Sequence, residues 1–162
     1  MNVLLITQDP PLRHEEVVSG NAVRTQQIRS ALESSGHTVD QVWLASPDTD
    51  RSGITQSTFR NQDDLQGILL SKAPGAIIVA YWELLGLLPL ETDIPVVLDY
   101  VAPRTLEELF ESPSTVNASL RRLRSNLRKC DLVLVGNDLQ RQLIINTLIE
   151  SGFDLRKDVP IK

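Results

Sequence analysis

The chain has 162 residues, a net charge of −5 from 16 Lys+Arg against 21 Asp+Glu, and apolar and charged fractions of 41% and 23%. That is one domain's worth of an ordinary globular sequence, able to bury roughly 70% of its unfolded surface, and it is neither disordered nor collagenous in composition. An acidic chain with only two Trp, two Tyr and three Phe offers neither a basic surface for phosphates nor many stacking platforms, so no nucleic acid is expected as partner.

Val3-Leu4-Leu5-Ile6 is a short continuous apolar run, the pattern of a strand covered on both faces. It has no basic region before it and stops at Ile6, so it is not expected to be a signal peptide. A long loop, Gln8 to Gly20, leads into a helix from Asn21 to Ser35 with Ile28, Ala31, Leu32 and Ser35 on one side and Gly36 as its stop. Thr38 to Trp43 alternates and reads as a strand nearer an edge. Ser46 to Ser57 is polar and aperiodic, a surface loop.

Asn61 to Lys72 carries Leu65, Ile68 and Leu69 at helical spacing. Ala76 to Ala80, Pro95 to Leu98 and Leu132 to Val135 are again continuous apolar strands. The run from Ala76 to Trp82 is the longest uncharged one and is far short of a membrane span. After Ser114 as N-cap, Val116, Leu120, Leu123 and Leu127 form a helical stripe; Leu139, Leu143, Thr147 and Leu148 form the last one, ending at Gly152. Strand and helix alternate throughout, which predicts an α/β fold: a Rossmann-like, doubly wound parallel sheet with helices on both faces, in a single domain over residues 1–162. Val159-Pro160-Ile161 looks like the opening of another extended element, so the polypeptide is expected to continue beyond Lys162.

In such a sheet, ligands bind beyond the C-terminal ends of the strands, against helix N-termini. Four places qualify. Ser19-Gly20-Asn21 opens the first helix, where Gly20 is either a turn residue or a point of close backbone approach to an anion. Tyr81-Trp82-Glu83 follows the third expected strand, where aromatics line a pocket and Glu83 holds hydroxyls, or where Trp82 simply packs under the next helix. Asp99-Tyr100-Val101-Ala102-Pro103-Arg104 follows the Pro95–Leu98 run, with Asp99 at the last strand position either orienting a hydroxyl or a cationic group or serving as an N-cap or loop carboxylate. Gly136-Asn137-Asp138 opens the last helix, with an N-cap as the simpler reading.

Dinucleotide and P-loop glycine patterns are absent, as are HExxH and GxSxG, and Asp9 stands without the adjacent acid that a phospho-acceptor site requires. The cluster Arg121, Arg122, Arg124, Arg128 and Lys129 avoids the leucine stripe and is either a solvated face or a patch for acidic phospholipid or a phosphorylated acceptor. Leu84 to Leu90 is either an interface or buried packing. One cysteine, Cys130, excludes an internal disulfide and fits a reducing compartment. A cytoplasmic location is expected, including the inner face of the membrane.

Three stretches taken in order resemble the N-terminal domain of bacterial family 4 glycosyltransferases: Ser19-Gly20-Asn21-Ala22-Val23-Arg24 with Gly36-His37-Thr38-Val39, then Val96-Val97-Leu98-Asp99-Tyr100-Val101-Ala102-Pro103, then Cys130-Asp131-Leu132-Val133-Leu134-Val135-Gly136-Asn137 through Gln140. The resemblance implies a GT-B architecture, of which this chain is the acceptor-binding half, inactive without a C-terminal donor domain. The implied reaction moves a sugar from a nucleotide-sugar donor to a glycan or lipid-linked acceptor, with no cofactor and no metal. Gly20, Asn21 and Arg24 would approach the donor diphosphate. Asp99 would stand at the reacting sugar as the catalytic residue, with Tyr81, Glu83, Tyr100 and Asn137 binding substrate. The chain departs from the family pattern at Ser19-Gly20, where many members have paired glycines, and at Asp99, where many have His. The alternative is a stand-alone Rossmann-like module for a small anionic ligand, or a non-catalytic subunit.

Overall fold

The structure is a computed structural model that describes residues 1–11, 19–45, 58–89, 92–101 and 104–154. Its elements run β1 (Asn2–Thr7), α1 (Gly20–Ser34), β2 (Thr38–Leu44), β3 (Thr58–Phe59), α2 (Gln62–Lys72), β4 (Ala76–Ala80), a 3₁₀ helix (Trp82–Leu87), β5 (Val96–Tyr100), α3 (Arg104–Glu111), α4 (Val116–Leu127), β6 (Leu132–Val135) and α5 (Asp138–Glu150). The surface loop expected at Ser46 to Ser57 and the extended start at Val159 lie outside the described residues.

The strands form one parallel sheet in the order β3-β2-β1-β4-β5-β6. This is the Rossmann arrangement, in which the chain winds outward in one direction through β2 and β3 and in the other through β5 and β6. The reversal leaves a crevice between the ends of β1 and β4.

The continuous apolar runs have the cause proposed for them. Leu4 and Ile6 of β1 face a large core with Ile77, Val79 and Leu98, closed by Leu65 and Leu69 of α2, Leu123 and Leu127 of α4, and Ile144 and Leu148 of α5. Val3 and Leu5 face the opposite side with Val39 and Ile78, packed against Ile28 and Leu32 of α1. Period-2 alternation thus divides each strand between two covered faces.

Helix ends follow local chemistry. The side chains of Ser19, Asn61 and Asn137 each accept from the backbone N–H three residues on, closing the starts of α1, α2 and α5. At the end of α1, Gly36 adopts φ +81°, its N–H bonds Glu33 O, and the next N–H, of His37, reaches Leu32 O. Gly152 ends α5 in the same way, with φ +80°, Gly152 N to Ile149 O and Phe153 N to Leu148 O. Both are Schellman closures, which require the left-handed conformation that glycine adopts without strain.

Three local expectations are corrected. In α1 the buried residues are Ala22 and Thr25, with Ile28 and Leu32 half-buried, whereas Ala31 and Ser35 are exposed. The packed stripe therefore runs 22-25-28-32, because the helix meets the sheet through its N-terminal half. The N-cap position of α4 is Thr115 rather than Ser114, and its side chain bonds Ser112 O instead of capping the helix. The apolar stretch from Leu84 is core: Leu84, Leu85 and Leu88 are at most 2% exposed. Its 3₁₀ turn is held by α4, through Asn126 Nδ2 to Trp82 O, and by Lys129 just beyond that helix, whose Nζ donates to the carbonyls of Gly86 and Leu88.

Candidate functional site

Two neighbouring clusters occupy the C-terminal edge of the sheet, one on each face. Strand alternation separates them. In β5, Val97 packs with the α1 side and Leu98 and Tyr100 with the other, so Asp99, two residues after Val97, points toward α1. Asp99 is completely buried, and the guanidinium of Arg24 forks onto it: Nε lies 2.8 and 3.0 Å from the two carboxylate oxygens and Nη2 lies 2.6 Å from Oδ1. The hydrogen bonds to Asp99 raise the Arg24 pKa, with burial opposing. Arg24 itself is about a third exposed. Its Nη1 donates to no group among the described residues and would lie 3.7 Å from a Cβ at Gly136, in the turn after β6. That turn is fixed by Gln140, whose Oε1 accepts from Gly136 N while its Nε2 donates to Val101 O, tying the ends of β5 and β6 together.

The start of α1 lies at the β1–β4 crevice. Ser19 Oγ caps the helix by accepting from Ala22 N and donates to Asp9 Oδ2 at 3.0 Å. Gly20 is exposed, and a Cβ built there would meet nothing within 4 Å among the described residues. Asn21 Nδ2 donates to the hydroxyl of Tyr81, which donates in turn toward Asp9 Oδ2 at 3.4 Å. Burial, then the neighbouring Asp9 carboxylate, pushes the Tyr81 hydroxyl up to about 12, so it stays a neutral donor across the physiological range. Tyr81 has φ +87° and ψ 121°. A non-glycine residue in this region costs about 1–3 kcal/mol and persists only where its surroundings hold it, here by the hydroxyl's two partners.

On the other face, Gln8, Asn21, Tyr81, Trp82, Glu83, Tyr100, Val101, Arg104 and Glu107 enclose a cavity of about 190 Å³. The Glu83 carboxylate lies 3.7 Å from Arg104 Nε through Oε1, while its Oε2 is buried with no hydrogen-bond partner of good geometry among the described residues. Burial raises the Glu83 pKa above the usual glutamate value, with a hydrogen bond from its own backbone and then the Arg104 charge pulling the other way. Tyr100 Oη lies beside Thr105 without a hydrogen bond of good geometry, and burial pushes this phenol up to about 12.

Of the residues singled out from sequence, the fold thus gathers Gly20, Asn21 and Tyr81 at the crevice, Arg24 with Asp99 on the α1 face, and Tyr81 with Glu83 and Tyr100 around the cavity. Asp99 and Tyr100, expected to line one surface together, are split across the sheet by the strand's two-residue period, and Asp99 meets solvent only through Arg24. Asn137 stands at the β6–α5 turn with Oδ1 engaged as N-cap. Gln8, Asp9, Arg104 and Glu107 also stand at these clusters; the stretches from Gln8 to Gly20 and from Asp99 to Arg104 are candidate places in the sequence, but these four residues are not among its expected site residues. Their signal is positional, since Gln8 and Asp9 immediately follow β1 and Arg104 opens α3.

The basic cluster is mostly bound into the fold. Arg124 pairs with Glu150, Arg128 Nη2 donates to Ser151 O and stacks 5.3 Å over the Phe153 ring, Arg122 reaches Ser119, and Lys129 caps the 3₁₀ helix. Among the described residues no helix is long and apolar enough to cross a membrane.

No family model and no curated protein matches the chain. Among solved structures, an alpha-glucosyltransferase in complex with UDP and a 13-mer DNA containing a HMU base is similar in fold at 16% identity, with a TM-score of 0.52 over 98% of this chain. The match covers 41% of that protein, so the present chain spans less than half its length. The class defined is a Rossmann-like α/β domain, a fold it shares with that protein. The likeness also corrects the expectation that nucleic acid is no partner, because a protein of this fold sits on DNA. A whole-chain charge of −5 averages over faces and does not report which surface, or which further domain, meets phosphate.

Proposed function

We propose that this chain is the N-terminal, acceptor-side domain of a glycosyltransferase that uses a nucleotide-sugar donor and completes its site with a second domain across the strand ends. The observation that carries this reading is the Arg24–Asp99 fork at the C-terminal edge of the sheet, beside the open start of α1. A guanidinium fixed by two contacts to a buried carboxylate is held in one orientation, with Nη1 left to meet an anion. The exposed first turn of α1 adds backbone N–H groups and the positive end of the helix dipole, and Gly20 leaves the approach unobstructed. Together they suit a diphosphate leaving group, whose charge grows as the sugar departs. The resemblance of the three sequence motifs to family 4 transferases and the likeness to a UDP-binding glucosyltransferase support the same reading.

In this mechanism Asp99 is a positioning residue that acts through Arg24 rather than on the sugar. Arg24 stabilises the departing diphosphate, and closure of the second domain excludes water that would otherwise hydrolyse the donor. The test is release of UDP from UDP-sugars by the full-length protein, with and without acceptor. Arg24→Lys keeps the charge but loses the fork, so kcat is expected to fall at least about tenfold with the melting temperature little changed. Unaltered turnover in Arg24→Lys would remove the residue from the mechanism.

A further inference from the structure

Helix α3 carries its polar side inward and its apolar side outward. It packs against α4 with Thr105 buried and with Glu108 Oε1 accepting from Ser119 Oγ at 3.0 Å. Leu106, Leu109 and Phe110 are 39%, 49% and 90% exposed. Each helical residue turns by about 100°, so these three share one stripe, with the exposed Glu107 and Glu111 along its free edge. A surface helix ordinarily turns such a stripe to the core. Other large apolar side chains at the surface, such as Val23 on α1 and Leu70 on α2, stand singly on their helices and call for no partner.

We propose that the outer stripe of α3 is the seat of a further domain of the same polypeptide, which covers it with an apolar surface edged by Lys or Arg. The proposal rests on the two-domain reading above. Position favours this occupant: α3 starts at Arg104, just beyond the end of β5 at Tyr100, on the edge across which that reading sets the second domain. Area favours it as well. The three side chains offer roughly 300 Å² of apolar surface, against about 800 Å² per partner in a stable complex of separate chains. A contact within one polypeptide needs less, because the connecting chain keeps both surfaces at a high effective concentration. Charge points the same way. Neither Glu107 nor Glu111 has an ion-pair partner among the described residues. A second copy of α3 would set these carboxylates against their own kind, and a bilayer of acidic lipid would repel them, whereas Lys or Arg complements them.

Hydroxyl-radical footprinting of the full-length protein, with and without UDP, tests it through the oxidation rate of Phe110 read by mass spectrometry. In at least one of the two conditions Phe110 is expected to react at least about tenfold more slowly in the native protein than in urea. Glu111→Lys, at an exposed position, should leave the fold intact and speed the native oxidation about threefold. Native oxidation as fast as in urea overturns the proposal, and so does protection that Glu111→Lys leaves untouched. Protection lost on about tenfold dilution would make a second copy the occupant, and protection seen only with phosphatidylglycerol vesicles would make it a bilayer; each overturns the proposal too. Release of UDP from UDP-sugars separates the readings. Turnover without protection overturns the seat alone, and protection without turnover overturns the transferase reading alone. A native protein with no polypeptide beyond residue 162 overturns both.

Discussion

Arg24 and Asp99, 75 residues apart in sequence, form a forked ion pair in which the carboxylate is wholly buried and the guanidinium is about one-third exposed. The asymmetry of burial predicts an asymmetry of effect. Arg24→Ala leaves a buried carboxylate without its cation and should cost about 3–5 kcal/mol in urea unfolding. Asp99→Ala frees an arginine that already reaches water and should cost less. The double variant should recover part of the loss, with a coupling energy of about 1–3 kcal/mol in the cycle. Additive single losses would show that the pair does not act as a unit.

Glu83 gives a pH signature. Burial raises its folded pKa above glutamate's 4.5, so the folded state keeps the proton after the unfolded state has released it. Stability from this group therefore falls as pH rises from about 4.5 through the folded value, and stays reduced above it. Glu83→Gln is neutral throughout. The melting temperature of the variant relative to wild type should climb across that window and then level off. A difference that is flat with pH, or that climbs on acidification, would contradict the burial of this carboxyl.

Cys130 should be inert in the native protein. Burial first, and the Asp131 charge second, push its thiol up to about 12, and the residue is 7% exposed. At pH 8 a disulfide reagent should label Cys130 only after urea unfolding, as peptide mapping would show. Rapid labelling of the folded protein would place the thiol at the surface.

The sheet was legible in the sequence because strands covered on both faces cannot alternate; β1, β4, β5 and β6 read as continuous apolar runs for that reason. The two-residue β3 carries too few positions for any period. The helix α3 was not read, although Leu106, Leu109 and Phe110 stand at helical spacing. These three are 39%, 49% and 90% exposed, so its apolar face is not buried within the chain. Gly20, Arg24, Tyr81, Glu83 and Tyr100 were legible as residues at strand ends and helix starts. Their grouping was not, since the pairing of Arg24 with Asp99 depends on sheet order and strand parity. Nucleic acid was excluded on a chain-average charge, which carries no information about where the charges lie.

The most direct test of the donor-side account is a calorimetric titration of the full-length protein with UDP, comparing wild type with Gly20→Val. A Cβ at Gly20 meets no atom of the described residues within 4 Å, so the substitution should leave the melting temperature nearly unchanged. The added isopropyl group would occupy the approach to the first turn of α1, and the account predicts at least about tenfold weaker UDP binding. Equal UDP affinity in the two proteins would contradict it and remove the start of α1 from the donor site.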